Sequence, residues 1–152
     1  GHAVRDNQAI MDKFHQWIVR LLSSPAARQP QVLLDALREC FDVPAASLRL
    51  WNHAETSGSE WREGSGIDEA RALADKQTLP YCGSPAGKPG VVWLDDAASM
   101  QSVALVPLRG MDETDSLGLL VLGSPDPKRF SADLGTDILR RIGETASAAL
   151  HG

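Results

Sequence analysis

Two segments in the second half of the chain constrain its fold more than any other feature. They read SVALVPLR at residues 102–109 and LGLLVLG at residues 117–123, and a short polar stretch separates them. This spacing predicts a β-hairpin with a loop longer than two residues. Antiparallel sheets usually expose one face and alternate apolar with polar residues. Here both alternating sets are apolar, so both faces must be covered: Val103, Leu105 and Pro107 on one, and Ala104, Val106 and Leu108 on the other.

Amphipathic helices at the two ends of the chain can cover one face of this hairpin. Residues 5–23 place apolar side chains at helical spacing and stop at a Ser-Ser-Pro sequence, which predicts a first helix. A second helix is predicted to begin near Pro30, with Cys40 on its apolar side. A final helix is predicted after Ser131 as N-cap, with Leu134 on its apolar face.

The other face is left to the irregular crossover between residues 53 and 100. After a first strand predicted at 47–52, the crossover holds a weak hairpin signal around Gly58, a short helical pattern at 67–77, a Pro/Gly-rich loop at 79–90 and the candidate strand VVWL at 91–94. Because strands and helices mix without regular βαβ alternation, the predicted class is α+β with a central antiparallel sheet. The N- and C-terminal helices then lie on one face, and a roof of loops and a short helix lies over a small-molecule pocket on the other.

Charge and composition exclude several classes of function. The 152 residues carry 15 Lys and Arg against 20 Asp and Glu, and the basic residues are scattered, which is not typical of a nucleic-acid-binding surface. No apolar run has the length of a membrane span and no signal peptide is recognisable, so a cytoplasmic location is the simplest expectation. Gly1 and His2 are typical of a tag remnant. We expect neither a metal site nor a disulfide framework, because Cys40 and Cys82 stand alone.

The hairpin and the segment that follows it resemble the GAF family of small sensory domains. The residues that carry the resemblance are SVALVPL at 102–108 and LGLLVLGS at 117–124, followed by an amphipathic helix. PYCG at 80–83 and GSPDPKRFSADLGTDILRRIGE at 123–144 are similar to one bacterial GAF subfamily of unassigned function. The resemblance implies an N-terminal helical unit over residues 1–28 and a GAF-like domain over 29–152, with small-molecule binding, dimerisation through the helices, or both. The motifs of cyclic-nucleotide-, bilin- and iron-binding members are missing, so the cofactor stays open.

Aromatic residues around one guanidinium are the candidate ligand-binding groups on the roofed side. Trp51 shares a strand face with Arg49, and together with Trp61 and Trp93 they could stack on a planar or anionic ligand. The predicted pocket also includes Tyr81, Cys82, Val103 and Leu105. The alternative is that the tryptophans are ordinary core and loop anchors.

Catalysis is not expected from the sequence, which has no GxSxG, P-loop or HExxH motif. Cys82 could serve as the nucleophile of a methionine-sulfoxide reductase only with a resolving thiol, and Cys40 is expected in the core. The carboxylate pairs Asp95-Asp96 and Asp112-Glu113 occur in predicted turns, where Asp is common. Arg109, at the end of its strand, is expected to be a solvated edge residue.

The first helix is a candidate dimer interface, because its apolar stripe is bulkier than one side of a small sheet requires. The predicted interface residues are Ile10, Phe14, Trp17, Ile18 and Leu21. The alternative is that the second helix covers this stripe within one subunit. We therefore predict a non-catalytic, small-molecule-binding sensory module that forms a homodimer. A pure interaction module without a ligand is the first alternative, and a thiol-dependent reductase using Cys82 is the second.

Overall fold

Four helices and four strands account for the regular structure of the described residues, apart from short 3₁₀ turns. The computed structural model describes residues 2–53, 59–110, 115–132 and 136–151. The helices are α1 (His2–Leu22), α2 (Gln29–Phe41), α3 (Ile67–Lys76) and α4 (Asp137–His151). The strands are β1 (Ala45–Leu50), β2 (Tyr81–Gly83), β3 (Ser102–Arg109) and β4 (Ser116–Ser124). Five positions named in the sequence predictions lie outside the described residues: Gly1, Gly58, Asp112, Glu113 and Leu134.

The strands form one antiparallel sheet in the order β1-β4-β3-β2. β3 and β4 are the two apolar segments, and they pair from Ser102 opposite Ser124 to Leu108 opposite Gly118. The register then slips by one residue between Leu108 and Arg109. β1 pairs with the other edge of β4, whereas β2 pairs only with residues 103–105 of β3. The predicted hairpin is confirmed.

Both faces of the hairpin are buried, as its two-sided apolar sequence predicts. On the helix face, the strands share one apolar cluster with side chains of α1, α2 and α4; the β3 and β4 members include Ala104, Val106, Leu108, Leu120 and Leu122. On the roof face, a second cluster joins the strands to α3 and to the 91–100 segment; its members from β3 and β4 are Val103, Leu105, Leu119 and Val121. The predicted α+β architecture, with terminal helices on one face and a roof on the other, is confirmed.

α1 is built into the core of the helix face. Trp17 and Leu21 are fully buried, and Trp17 Nε1 donates a 3.2 Å hydrogen bond to the Leu33 carbonyl oxygen of α2. The Phe14 and Trp17 ring centroids are 5.8 Å apart. A buried indole whose N–H is satisfied fixes the position of one helix against the other. Trp17 and Leu21 thus pack in the same apolar cluster as side chains of α2 and α4.

β3 extends past its neighbour β2, and α4 covers the strand edge left there. Because β2 stops early, nearby backbone groups of β3 need other partners. Pro107 has no N–H to satisfy, and the N–H of Arg109 donates to Ser147 Oγ of α4 at 3.0 Å. Gly143 permits this close approach, since a Cβ there would lie 2.8 Å from a side-chain carbon of β3. The helix thereby protects this part of the edge from pairing with a further strand.

Several local predictions are wrong or displaced. The VVWL segment contains a 3₁₀ turn (Val91–Trp93) instead of a strand, and Gly90 before it adopts a left-handed conformation with φ of 86°. The Pro/Gly-rich loop contains β2, whose three residues are held by pairing with β3 and have no alternating pattern of their own. β1 begins and ends two residues earlier than predicted. The last helix begins at Asp137, so Ser131 is not its N-cap.

Candidate functional site

Arg49 and Trp93 form a cation–aromatic pair on the roof face, at the position predicted for a ligand. The Arg49 guanidinium carbon lies 5.0 Å from the Trp93 ring centroid, and partial burial lowers the pKa of this arginine. Both side chains donate hydrogen bonds to the backbone of the same loop. Arg49 Nε donates to the Glu63 carbonyl at 2.6 Å, and Trp93 Nε1 donates to the Ser65 carbonyl at 2.9 Å. A Cβ on Gly64 would lie 2.7 Å from Trp93 Nε1. The loop of residues 63–65 therefore covers the Arg49–Trp93 pair.

Four further pocket candidates lie in or beside the roof-face cluster. Val103 and Leu105 are fully buried within it, and the half-buried Trp51 and Tyr81 pack against it. The Tyr81 hydroxyl donates to a backbone carbonyl at 2.9 Å, and the Lys88 ammonium lies 4.2 Å from the Tyr81 ring centroid. The structure thus brings these residues to one face, where their contacts are those of packed core and its rim.

Cys82 and Trp61 depart from this group, because both pack with the helix-face cluster. Cys82 is only 8% exposed, and burial raises the pKa of its thiol, which disfavours the thiolate form that a nucleophile requires. The half-buried Cys40 lies on α2, which packs on β1 at the opposite edge of the sheet from β2. Three strand spacings, roughly 14 Å, separate these edges. Protonation and distance both count against a thiol reductase built from this pair.

Arg109 is not the solvated edge residue that its sequence position predicts. Its Nη2 atom donates to three carbonyl oxygens at the C-terminal end of α3, those of Ala74 (2.7 Å), Asp75 (3.1 Å) and Gln77 (2.8 Å). A helix C-terminus has unpaired carbonyls and a partial negative charge, and a guanidinium satisfies both. The backbone N–H of the same residue binds Ser147 of α4. One residue therefore connects the roof helix α3 to the terminal helix α4, around the end of the sheet.

A second contact holds the end of α3 against the hairpin. Asp75 Oδ1 accepts hydrogen bonds from Ser116 Oγ at 2.5 Å and from Ser116 N at 2.9 Å. These bonds, the hydroxyl one foremost, lower the pKa of the Asp75 carboxyl. Trp51 Nε1 in turn donates to Ser116 Oγ at 3.0 Å. Arg109, Asp75, Ser116 and Trp51 come from four separate parts of the chain, so no short motif in the sequence points to them.

Asp96, one of the carboxylates noted in the sequence, has a structural role in a turn. Asp96 adopts a left-handed conformation with φ of 56°, and its Oδ1 accepts a 3.0 Å hydrogen bond from Ser99 Oγ, which is the turn role that the sequence analysis favours. In the part of the chain that the structure describes, no three His, Cys, Asp or Glu side chains are placed to hold a metal ion.

None of the helices described here combines the length and hydropathy that crossing a bilayer requires.

A cleft of about 520 Å³ opens beside the strand edge that β2 leaves uncovered. Val106 and Pro107 of β3 line its floor, and residues 78–80 form one wall, where Leu79 is 57% exposed. The opposite wall is α4, which contributes Arg140, Gly143, Glu144, Ser147 and Ala148. The sequence predicts a pocket on the other face of the sheet and gives no signal for this cleft, because its position depends on where β2 ends.

The predicted dimer interface on α1 is largely used within the subunit. Trp17 and Leu21 are fully buried, Phe14 and Ile18 are half-buried against the same cluster, and Ile10 is 38% exposed. This packing corresponds to the alternative that the sequence leaves open, in which α2 covers the stripe. A partner helix in this state has to use a different face of α1.

A second stripe on α1 borders the core-facing one and is mostly exposed. This outer stripe consists of Met11, His15, Ile18 and Leu22, of which Ile18 also packs against the core, and its spacings of four, three and four residues match a coiled-coil seam. Leu22 is 61% exposed and Met11 is 38% exposed, and the neighbouring Val19 is 47% exposed. Among the residues of α1 whose burial is described, the outer stripe therefore contributes apolar surface that remains available to a partner.

Several solved structures to which the chain is similar are GAF domains. The chain is similar to the GAF domain of a protein assigned as a sensor histidine kinase in Pseudomonas syringae pv. tomato, with 20% identity, a TM-score of 0.63, and coverage of 98% of this chain and 90% of that one. It is also similar to the GAF domain of an Acinetobacter phosphoenolpyruvate-protein phosphotransferase, with 15% identity, a TM-score of 0.61, and coverage of 92% and 91%. A third is the A. aeolicus nlh2 GAF domain in an inactive state, with 10% identity, a TM-score of 0.61, and coverage of 94% and 96%.

Sequence comparison places the chain in a family. Among curated proteins, none matches it. The family model described as "Protein of unknown function, DUF484" matches residues 2–150, which is nearly the whole chain. The resemblance to a GAF subfamily of unassigned function is therefore confirmed. The chain belongs to the DUF484 family and has the fold of a GAF domain.

Proposed function

We propose that the chain is a non-catalytic sensory module that binds a small molecule and reports its state through paired α1 helices. Domains of this fold occur in a protein assigned as a sensor kinase and in a phosphotransferase, which supports a regulatory role. The observation that carries the proposal is the position of Arg109, whose side chain holds α3 and whose backbone holds α4. A change at the roof thus has a direct route to the helices on the other face.

The route continues from α4 to the outer stripe of α1. Arg141 Nη1 on α4 lies 3.8 Å from the Met11 sulfur, and Met11 is the first residue of the outer stripe. A displacement of α4 relative to the sheet therefore moves the surface on which a second copy would pack. A signal of this kind requires two arrangements of α4 that a ligand stabilises differently.

The outer stripe supports pairing of two copies rather than a heterologous contact. A two-fold axis brings the same stripe of each copy together, and the 3-4 spacing lets side chains of one helix fit between those of the other. α1 has 21 residues, so a parallel pair is about 30 Å long. Pairing would remove the exposed surface of Leu22 and Met11 from water, which favours association.

Sedimentation equilibrium tests this pairing with the variant Leu22→Lys. The charge lies in the seam, so we expect the dimer dissociation constant to rise at least about 10-fold. Val92→Lys is the matched control, because Val92 is 62% exposed but belongs to the roof. A wild-type protein that stays monomeric at its highest soluble concentration contradicts pairing, as does a Leu22→Lys protein that dimerises like the wild type.

A pure interaction module without a ligand is the second candidate, and the close packing of the roof face favours it. Val103 and Leu105 are fully buried there, and the backbone around Gly64 covers the Arg49–Trp93 pair. A ligand at this place has to displace that loop. Native mass spectrometry of freshly purified protein separates the candidates: a reproducible adduct that disappears on denaturation supports the sensor, and a bare dimer supports the interaction module.

A further inference from the structure

The cleft beside α4 has its origin in the short strand β2. Because β2 pairs only with residues 103–105, the outer half of β3 has no strand beside it. α4 approaches that edge closely at Gly143 and Ser147 but does not fill the space between itself and residues 78–80. The hollow of about 520 Å³ that results lies within the usual range of small-molecule sites.

Two opposite charges stand one turn apart on the helical wall of this cleft. Arg140 and Glu144 both line it, and side chains four residues apart on a helix are neighbours. Arg140 pairs with Asp137 at 3.7 Å, a contact in which both side chains are more than half exposed and which therefore holds the guanidinium weakly. Within the described ranges Glu144 has no ion pair within 4 Å. Both charges are thus available to a ligand.

The rest of the cleft combines apolar surface with a further positive charge. Leu79, Pro80 and Pro107 line it, and Leu79 is largely exposed. Pro107 is already buried, so an apolar group gains from covering Leu79 and the half-buried Pro80, whose surface it removes from water. Arg109 also lines the cleft, and its Nε is buried without a hydrogen-bond partner among the described residues. Two guanidinium groups and one carboxylate therefore line the cleft, which offers partners for both a carboxylate and an ammonium group of one ligand.

We propose that this cleft binds a small zwitterion with an apolar side chain, of the class of a free aliphatic amino acid. The ligand carboxylate pairs with Arg140, its ammonium pairs with Glu144, and its side chain packs on Leu79 and Pro80. This inference rests on the proposed sensory function and assigns the ligand to the helix side of the sheet. Ser147 lines the same wall and accepts the Arg109 N–H, so a ligand here lies directly beside the contact that joins α4 to the sheet.

A heteronuclear NMR titration with L-leucine tests the site. We expect saturable shifts of the amide signals of Thr78, Leu79 and residues 143–148. Arg140→Gln and Glu144→Gln should each raise the dissociation constant at least about 10-fold, because each removes one charged contact. Arg38→Gln is the matched control and should leave it unchanged, since Arg38 is an exposed residue of α2 that does not line the cleft. Two truncated probes, 4-methylpentanoate and 3-methylbutylamine, each lack one charge and should also bind at least about 10-fold more weakly.

Three results overturn the zwitterion site: no saturable shift with leucine, equally tight binding of 4-methylpentanoate, or shifts that are unchanged in both charge variants. Sedimentation of the same samples distinguishes failure of the site from failure of the proposed function. A dimer that does not bind leucine removes the cleft site and leaves helix pairing in place. Leucine binding by a protein that remains monomeric supports the site and removes the proposed output through α1.

Discussion

Replacing Arg109 by methionine removes the guanidinium at the end of α3 and keeps most of the aliphatic stem. The Nη2 atom carries two hydrogens, so it cannot make three full hydrogen bonds. The contacts with the Ala74 and Gln77 carbonyls, at 2.7 and 2.8 Å, are the shorter ones, and the 3.1 Å contact with Asp75 is shared. The variant therefore loses two charge-assisted bonds and leaves the last carbonyls of α3 without this donor.

The expected loss of stability follows from these contacts. A hydrogen bond from a charged donor contributes about 1.5–3 kcal/mol, and the lower end applies because Arg109 is only half-buried. Two bonds then correspond to a loss of about 2–3 kcal/mol in the free energy of unfolding. For a domain of this size each kcal/mol lowers Tm by roughly 2–4 °C, so Tm should fall by roughly 4–12 °C.

Urea unfolding followed by tryptophan fluorescence measures the global effect, and amide hydrogen exchange measures the local one. Arg141→Met makes the same chemical change at an exposed position and should cost less than about 0.5 kcal/mol. Arg109→Lys should lie between the wild type and Arg109→Met, because lysine keeps the charge but lacks the planar fork of donors. Exchange at residues 73–77 should accelerate in Arg109→Met more than exchange in the central strands.

The reasoning is refuted if Arg109→Met lowers the free energy of unfolding no more than Arg141→Met does. In that case the contacts at the end of α3 do not stabilise the fold, and the proposed route from the roof to the helices has no energetic basis. A global loss of the expected size with unchanged exchange at residues 73–77 also counts against it, because the effect would then arise away from α3.

Two further predictions concern the same end of the sheet. Ser116→Ala removes the hydroxyl hydrogen bond that lowers the pKa of Asp75, so this pKa should rise towards its ordinary value in an NMR titration of the carboxyl carbon. Because the folded-state pKa lies below the unfolded value of about 3.9, the stabilisation is present above that pH and is lost as the pH falls through the folded pKa. The stability difference between variant and wild type should therefore be largest at neutral pH and shrink in acid; a constant difference contradicts the assignment. Gly143→Val places a Cβ 2.8 Å from Val106 Cγ1 and should cost about 2 kcal/mol in urea unfolding, whereas Ala148→Val on the exposed side of α4 should cost less than about 0.5 kcal/mol. Adding Val106→Ala should restore part of that loss, and no restoration would show that the contact is not the cause.

The sequence predicted the layers of this fold because its strongest pattern admits few arrangements. A hairpin that is apolar on both faces has to lie in the middle layer of the fold. Only the amphipathic helices at the two ends of the chain and the crossover were left to cover its two faces. Where tertiary pairing decides the conformation, the prediction failed. β2 has three residues in a Pro/Gly-rich stretch and exists because β3 offers a free edge, while the apolar VVWL run follows a left-handed Gly90 and turns instead of pairing.

The candidate site was less predictable for a related reason. Arg49 and Trp93 could be placed together because strand alternation assigns Arg49 to one face of the sheet, and the crossover that contains Trp93 was the only segment left to cover that face. The role of Arg109 could not be predicted, because it depends on the C-terminal end of α3 lying next to the end of β3. No residue near Arg109 in the sequence indicates this contact. Trp17 and Leu21 were predicted as interface for a similar reason. An apolar stripe shows that a face is covered, but it does not show whether the cover belongs to the same subunit.

The two apolar faces that make the hairpin central also restrict where a signal can pass through this domain. Close-packed side chains on both sides resist deformation, so the middle of the sheet should behave as a rigid slab. The end of the sheet is different: the register slips after Leu108, β2 no longer pairs with β3, and polar contacts take the place of apolar packing. Arg109 lies at this point and is bonded to a helix from each face. A displacement of α3 should therefore reach α4 around the end of the sheet, which is why disruption of the Arg109 contacts is expected to uncouple the two faces without removing either core.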